Sequence, residues 1–152
     1  MNKNILIIYH TQTGNTKKIV DACVNGIQKE DNISIKLIEA LHATIEHVIW
    51  ADGIILATPE NFGYMSGAMK NFFDRTYYPA RDLAISKPYA LLISCETDGE
   101  GTVRSIQTIA KGYILKETLE PLIIKEQEQQ EKLDLVEEFG QSFVTGILLG
   151  IF

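Results

Sequence analysis

The sequence predicts an α/β fold: one domain over residues 1–152, a three-layer sandwich in which helices cover both faces of a five-stranded parallel sheet of order 2-1-3-4-5. Three observations carry this. Short apolar runs alternate with longer amphipathic stretches from end to end, the rhythm of strand, crossover helix and strand. Three runs, Ile5 to Ile8, Ile54 to Ala57 and Ala90 to Ile93, are apolar at every position, as strands buried on both faces must be. A chain of 152 residues, 45% hydrophobic and 22% charged, has the size and composition of about one globular domain.

The first strand is expected at Asn4 to Tyr9, followed by a helix from Thr16 to Gln28 with Cys23 as a small core residue. The second strand, Ser34 to Glu39, alternates apolar and polar residues and reads as an edge. A short helix at Thr44 to Trp50 leads to the third strand, Gly53 to Thr58, which Pro59 is expected to halt. Ser66 then caps a helix running to Tyr77, with Met69, Phe72 and Phe73 at helical spacing on its core face. The fourth strand, Tyr89 to Ser94, precedes a helix from Thr102 to Leu115. The fifth strand is Leu119 to Ile124, and the last helix spans Gln130 to Leu149. Its approach, Lys125 to Glu138, is rich in Glu, Gln and Lys and reads as a solvated face. The apolar tail, Leu148 to Phe152, is expected to complete the core beside the first helix, with a subunit contact as the alternative.

A formal net charge of −6 without a Lys/Arg stripe excludes nucleic acid as a partner and is compatible with docking a basic one. The first strand follows Met1 to Asn4 directly, too short a run for a signal peptide, and no run approaches a membrane span, so a cytoplasmic protein without membrane insertion is expected. Cys23 and Cys95 read as free thiols, and His10, His42 and His47 lack metal-ligand spacing, so no metal site is expected.

In a sheet of this order the loops after strands one, three and four converge at the reversal of strand order. The first, Thr11-Gln12-Thr13-Gly14-Asn15-Thr16, supplies hydroxyls, a glycine and the start of a helix, which together form a phosphate cradle. It holds no lysine, which argues against a nucleotide triphosphatase. The second, Thr58-Pro59-Glu60-Asn61-Phe62-Gly63, offers a tight turn, backbone N–H groups and, with Tyr64, flat apolar faces for a planar ring. The third, Cys95-Glu96-Thr97-Asp98-Gly99, is turn-rich and can close over a ring edge. Other uses of the architecture fail. Cys95 has no arginine before Arg104 to complete a phosphatase anion loop, no aspartate ends the third strand for phospho-acceptance, no Gly-x-Ser-x-Gly elbow is present, and Gly99-Glu100-Gly101 lacks the third glycine of a dinucleotide fingerprint.

The run Ile7 to Thr16 resembles the N-terminal signature of the flavodoxin-like family, departing from it at Val20, where a small residue is common. Thr58-Pro59 through Phe73-Asp74-Arg75 is similar to the second loop and helix of that family's NAD(P)H-linked quinone and flavin reductase branch. The resemblance implies a short-chain flavodoxin-like fold binding FMN. Phosphate would sit at Thr11 to Thr16, and the ring between Thr58 to Gly63 and Cys95 to Gly99. NAD(P)H is the implied co-substrate. Electron carriers of the family usually cover the ring with an aromatic from the third loop, but Cys95 to Thr102 contains none. An oxidoreductase passing a hydride from NAD(P)H to a quinone or similar small-molecule acceptor is therefore expected, with the flavin and no side chain doing the chemistry. The alternative is an electron-transfer protein that docks a redox protein; a flavin-binding sensor without turnover is a third class. Acidic Glu96, Asp98 and Glu100 are expected to lower the flavin potential. Phe62, Tyr64 and Tyr77-Tyr78-Pro79 are candidate contacts of a homo-oligomer.

Overall fold

Successive side chains of a strand point to opposite faces, so each uniformly apolar run feeds two cores at once. The computed structural model, which describes residues 1–113 and 115–152, shows this parting. Leu6 and Ile8, Ile54 and Leu56, and Leu91 and Ile93 enter one core with Val48, Phe72, Phe73, Ile106 and Tyr113. Ile5 and Ile7, Ile55 and Ala57, and Ala90 and Leu92 enter the other with Ile19, Cys23, Phe139 and Phe143. Each large side chain so buried contributes about 1.5–3 kcal/mol.

The elements are β1 (Lys3–Tyr9), α1 (Asn15–Ile27), β2 (Ile33–Glu39), α2 (Ile45–Trp50), β3 (Gly53–Asn61), β4 (Tyr64–Met65), α3 (Gly67–Asp82), β5 (Pro88–Cys95), α4 (Glu100–Tyr113), β6 (Lys116–Glu117), β7 (Leu122–Lys125) and α5 (Leu133–Leu149). Helices α1 and α5 cover one face of the sheet; α2, α3 and α4 cover the other. The backbone of the sheet runs β2-β1-β3-β5 in parallel, with β6 and β7 both beside β5 and β4 antiparallel to β3. The expected strand order is present, and β2 is the expected edge.

Among the described residues the sheet has seven strands where the sequence predicts five, for two local reasons. First, Pro59 does not halt β3, which continues to Asn61 and turns back as β4. Ala57 faces β1, accepting from His10 N at 3.0 Å, so Pro59, two residues on, faces the same side after β1 has ended at Tyr9. Its missing N–H therefore breaks no ladder bond. Second, the fifth strand, expected at Leu119 to Ile124, forms only from Leu122 as β7, while Lys116–Glu117 pairs separately with β5 as β6, the two parted by the stretch 118–121 that ends in Pro121.

Helix bounds shift for similar reasons. Helix α3 runs through Pro79 to Asp82 because Ala80 is buried and Tyr77 packs edge-on against Tyr113, so tertiary contact overrides the proline. Helix α4 starts two residues early, at Glu100, on the Asp98 cap; Ile114, within its expected C-terminal end, lies outside the described residues. Residues 130–132 form a 3-10 turn ahead of α5. The tail folds back after Gly150, and Phe152 stacks on Phe143 at 6.1 Å, within the core that α1 shares.

Candidate functional site

Strands β1, β3 and β5 end at one edge, with Tyr9 beside Ala57 and Thr58 beside Ile93. The segments that follow enclose a cleft of about 440 Å³. Gln12, Thr13, Asn15 and Thr16 line it from the first loop, Pro59 to Gly63 from the second, Ser94, Glu96 and Thr97 from the third, and Glu126 from beyond β7.

The first wall is built by Thr11 and Gly14, which do not line the cleft. Gly14 has φ 95°, a left-handed conformation that turns the chain into α1. The Thr11 hydroxyl accepts from Gly14 N at 3.1 Å and from Lys17 N at 3.4 Å. Of the four N–H groups that a helix start leaves open, those of Asn15 and Thr16 therefore have no partner among the described residues. The Thr16 side chain is already engaged: its buried hydroxyl meets that of Ser94 at 2.7 Å. Gln129 also holds this wall, donating from Nε2 to Asn15 O at 2.6 Å.

The second wall is a two-residue hairpin between β3 and β4. Phe62 and Gly63 have φ of 53° and 70°, the pair of positive values that a primed hairpin turn requires. Gly63 accommodates this; Phe62 is strained, and its ring stands fully exposed at the mouth of the cleft. Thr58, buried beneath, accepts from Ser66 N at 3.1 Å and donates to Pro59 O at 3.0 Å, while Ser66 caps α3 at Met69 N. The turn rests on α4: a Cβ on Gly101 would stand 2.1 Å from Gly63 O.

The third wall contains fewer lining residues than the sequence predicts. Cys95 is buried under the cleft, and desolvation, followed by the nearby Glu60 carboxylate, pushes its thiol up to about 11. It is no thiolate at neutral pH, in keeping with the rejection of a cysteine nucleophile. Gly99 (φ 70°) packs against Ile123, and Asp98 Oδ1 accepts from Glu100 N at 3.0 Å, so both start α4 and neither faces the cleft. Glu100 pairs with Arg104 at 3.6 Å. The acidic lining is therefore Glu60, Glu96 and Glu126, not the expected trio, and no Lys or Arg accompanies it. Glu60 Oε1 accepts from Thr97 Oγ1 at 2.7 Å across the two loops. Glu60 Oε2 is shut from solvent without a donor among the described residues.

Of the expected site residues, Thr11, Gly14, Thr58, Cys95, Asp98 and Gly99 thus support the walls and the other eleven line the cleft. Ser94, Glu126 and Gln129 were not foreseen. Since β7 ends at the same edge as β5, with Cys95 beside Lys125, the segment after it had to arrive here too. The Glu/Gln-rich composition of 126–132 masked that signal. No group of metal-ligating residues, and no helix long and apolar enough to cross a membrane, occurs among the described residues.

The NADPH-dependent FMN reductase family matches residues 19–116, well over half of the chain. A flavodoxin of Aquifex aeolicus (strain VF5) is 41% identical over 70 residues, covering 46% of this chain and 38% of that protein. An NAD(P)H dehydrogenase (quinone) of Acidithiobacillus ferrooxidans is 32% identical over 92 residues, covering 47% of this chain and 46% of its own. The chain spans less than two thirds of the length of the relatives it matches, between 38% and 60%. Among solved structures, a flavodoxin from the domain Archaea superposes with a TM-score of 0.82 at 19% identity, covering 95% of this chain and 98% of that one. A flavodoxin, WrbA-like protein from Agrobacterium tumefaciens gives 0.80 at 16%, covering 97% and 99%. The fold, the cleft at its carboxyl edge and the family match converge: the chain belongs to the NADPH-dependent FMN reductase family and is a flavodoxin-like flavoprotein whose cofactor is FMN.

Proposed function

We propose that the chain holds FMN in this cleft and passes a hydride from NAD(P)H to a quinone or a similar small acceptor. The observation that carries the reading is the third wall. Ser94, Glu96 and Thr97 line it, and residues 95–102 include no aromatic, so a planar ring between the second and third loops keeps one face open. A second planar molecule can stack there at reaction distance.

The cleft fits the group. Its volume of about 440 Å³ falls within the range of cofactor sites. The free N–H groups of Asn15 and Thr16, with the side chains of Gln12 and Thr13, would hold the phosphate at the positive end of α1. Pro59 to Gly63 would flank the ring on one side and Glu96 and Thr97 on the other. Bound there, the flavin supplies the hydride chemistry. The chain positions it through Thr11 and Gly14 behind the phosphate, Thr58 behind the second loop, and Cys95, Asp98 and Gly99 behind the third. Phe62, exposed at the mouth, and Tyr64, exposed on the same hairpin, suit a small acceptor or the face of a second subunit.

A second reading, a one-electron carrier docking a redox protein, draws support from the likeness to the Aquifex flavodoxin. The two separate when protein reconstituted with FMN and freed of excess is mixed anaerobically with NADPH or NADH. Rapid loss of the flavin's visible absorbance is expected. Bound flavin that stays oxidised would favour the carrier, and complete loss of flavin on desalting would sink both.

A further inference from the structure

Gln129 lies 114 residues beyond Asn15, yet its Nε2 donates to Asn15 O at 2.6 Å, and the side chain is buried, 6% exposed. A backbone carbonyl only accepts, so the amide nitrogen, not the amide oxygen, must face it. The segment is shaped to deliver this contact. Strand β7 ends beside β5 at Lys125, Glu126 lines the cleft, and Glu126 to Glu128 form a 3-10 turn closed by Gln129 N, which donates to Glu126 O at 3.3 Å. Lys132 N then donates to Gln129 O at 3.2 Å, and the Lys132 ammonium pairs with Glu128, so the residue is held from both sides.

The carbonyl that Gln129 grips belongs to the same peptide unit as the N–H of Thr16. That N–H is one of the two at the start of α1 without a partner among the described residues. A trans peptide unit is planar, with oxygen and hydrogen on opposite sides, so fixing the oxygen fixes where the hydrogen points. A hydrogen bond to the oxygen also polarises the unit and strengthens its N–H as a donor.

We propose that Gln129 is a positioning residue for the phosphate of FMN. It orients and polarises the Asn15–Thr16 peptide so that Thr16 N–H meets the phosphate. Gln129 is not among the residues lining the cleft, so it acts through the backbone of α1. The inference rests on the cleft being the FMN site, with the phosphate at the start of α1.

The test compares FMN with riboflavin, which has the same ring and ribityl chain but no phosphate. Dissociation constants are measured by flavin fluorescence on the wild type and Gln129→Met, which keeps the length of the side chain and removes the donor. The variant is expected to bind FMN about three- to tenfold more weakly, the scale of one neutral hydrogen bond, and riboflavin as the wild type does. A second measurement needs no variant: the Thr16 amide proton, followed by NMR in the wild type, should move downfield with FMN and not with riboflavin. Equal weakening of both flavins in Gln129→Met would reduce the contact to a structural one and overturn the proposal. So would unchanged FMN affinity in the variant, or a Thr16 resonance that responds to both flavins alike. Wild type that binds FMN no better than riboflavin would instead overturn the placement of the phosphate, and failure to bind either would overturn the assignment of the cleft.

Discussion

The hydroxyl of Thr16 meets that of Ser94 at 2.7 Å, with both residues buried, and this bond ties the first turn of α1 to the end of β5 beneath the cleft. Thr16→Val orphans the Ser94 hydroxyl, and Ser94→Ala orphans that of Thr16. Each is expected to cost about 1–3 kcal/mol in urea unfolding. The double variant should cost less than the sum, as a shared bond requires. Additive losses would mean that the two hydroxyls act independently.

Replacing Gly101 with Ala places a methyl group 2.1 Å from Gly63 O, a backbone atom that can yield only if the turn moves. The hairpin of the second wall should be displaced outward. We expect about 1–3 kcal/mol of lost stability and about tenfold weaker FMN binding, read by fluorescence titration. Unchanged FMN affinity would separate the turn from the flavin site.

Phe62 occupies a left-handed conformation with its ring in solvent, a cost the fold itself does not repay. Phe62→Asn creates Asn-Gly at the turn and should raise stability by about 1 kcal/mol. If the ring serves the cleft, the same change should slow reduction by NAD(P)H, measured by stopped-flow absorbance. A variant both more stable and equally fast would assign Phe62 no role in turnover.

Cys23, buried between α1 and α5, has its thiol pushed up to about 12 by desolvation, from an ordinary value of 9.0. Between those values the folded chain holds a proton that the unfolded chain releases. The contribution is therefore complete below pH 9 and lost as pH rises toward 12, with a slope on the order of 1 kcal/mol per pH unit. Cys23→Ala lowers stability at pH 7 by leaving a small void. It should also flatten this part of the alkaline profile in urea titrations from pH 8 to 11.

The fold was legible because the apolar runs obey a period of two inside strands and the amphipathic stretches a helical period between them. Where propensity and tertiary contact disagreed, the sequence misled. Pro59 looked like a stop but sits where its neighbour strand has ended, and the helix expected to end at Tyr77 runs on through Pro79 because Ala80 and Tyr77 hold the next turn down. At the site, loop composition identified the three walls, yet it could not say which residues face inward. Asp98 resembled a ligand and caps a helix; Glu60 attracted no special notice and carries the unpaired oxygen. Facing depends on turn geometry and on contacts such as that between Gly101 and Gly63, which join residues far apart in the chain.

The break from Thr118 to Pro121 leaves the outer margin of the sheet as stubs of two and four residues. Long, regular margins invite strands from other molecules, because their unpaired N–H and C=O groups form a ready template. Here the template is interrupted by a residue that cannot donate, and at the opposite margin β2 exposes the charged Lys36 and Glu39. The proline at the end of that break therefore works against growth of the sheet from one molecule into the next, and so against fibres.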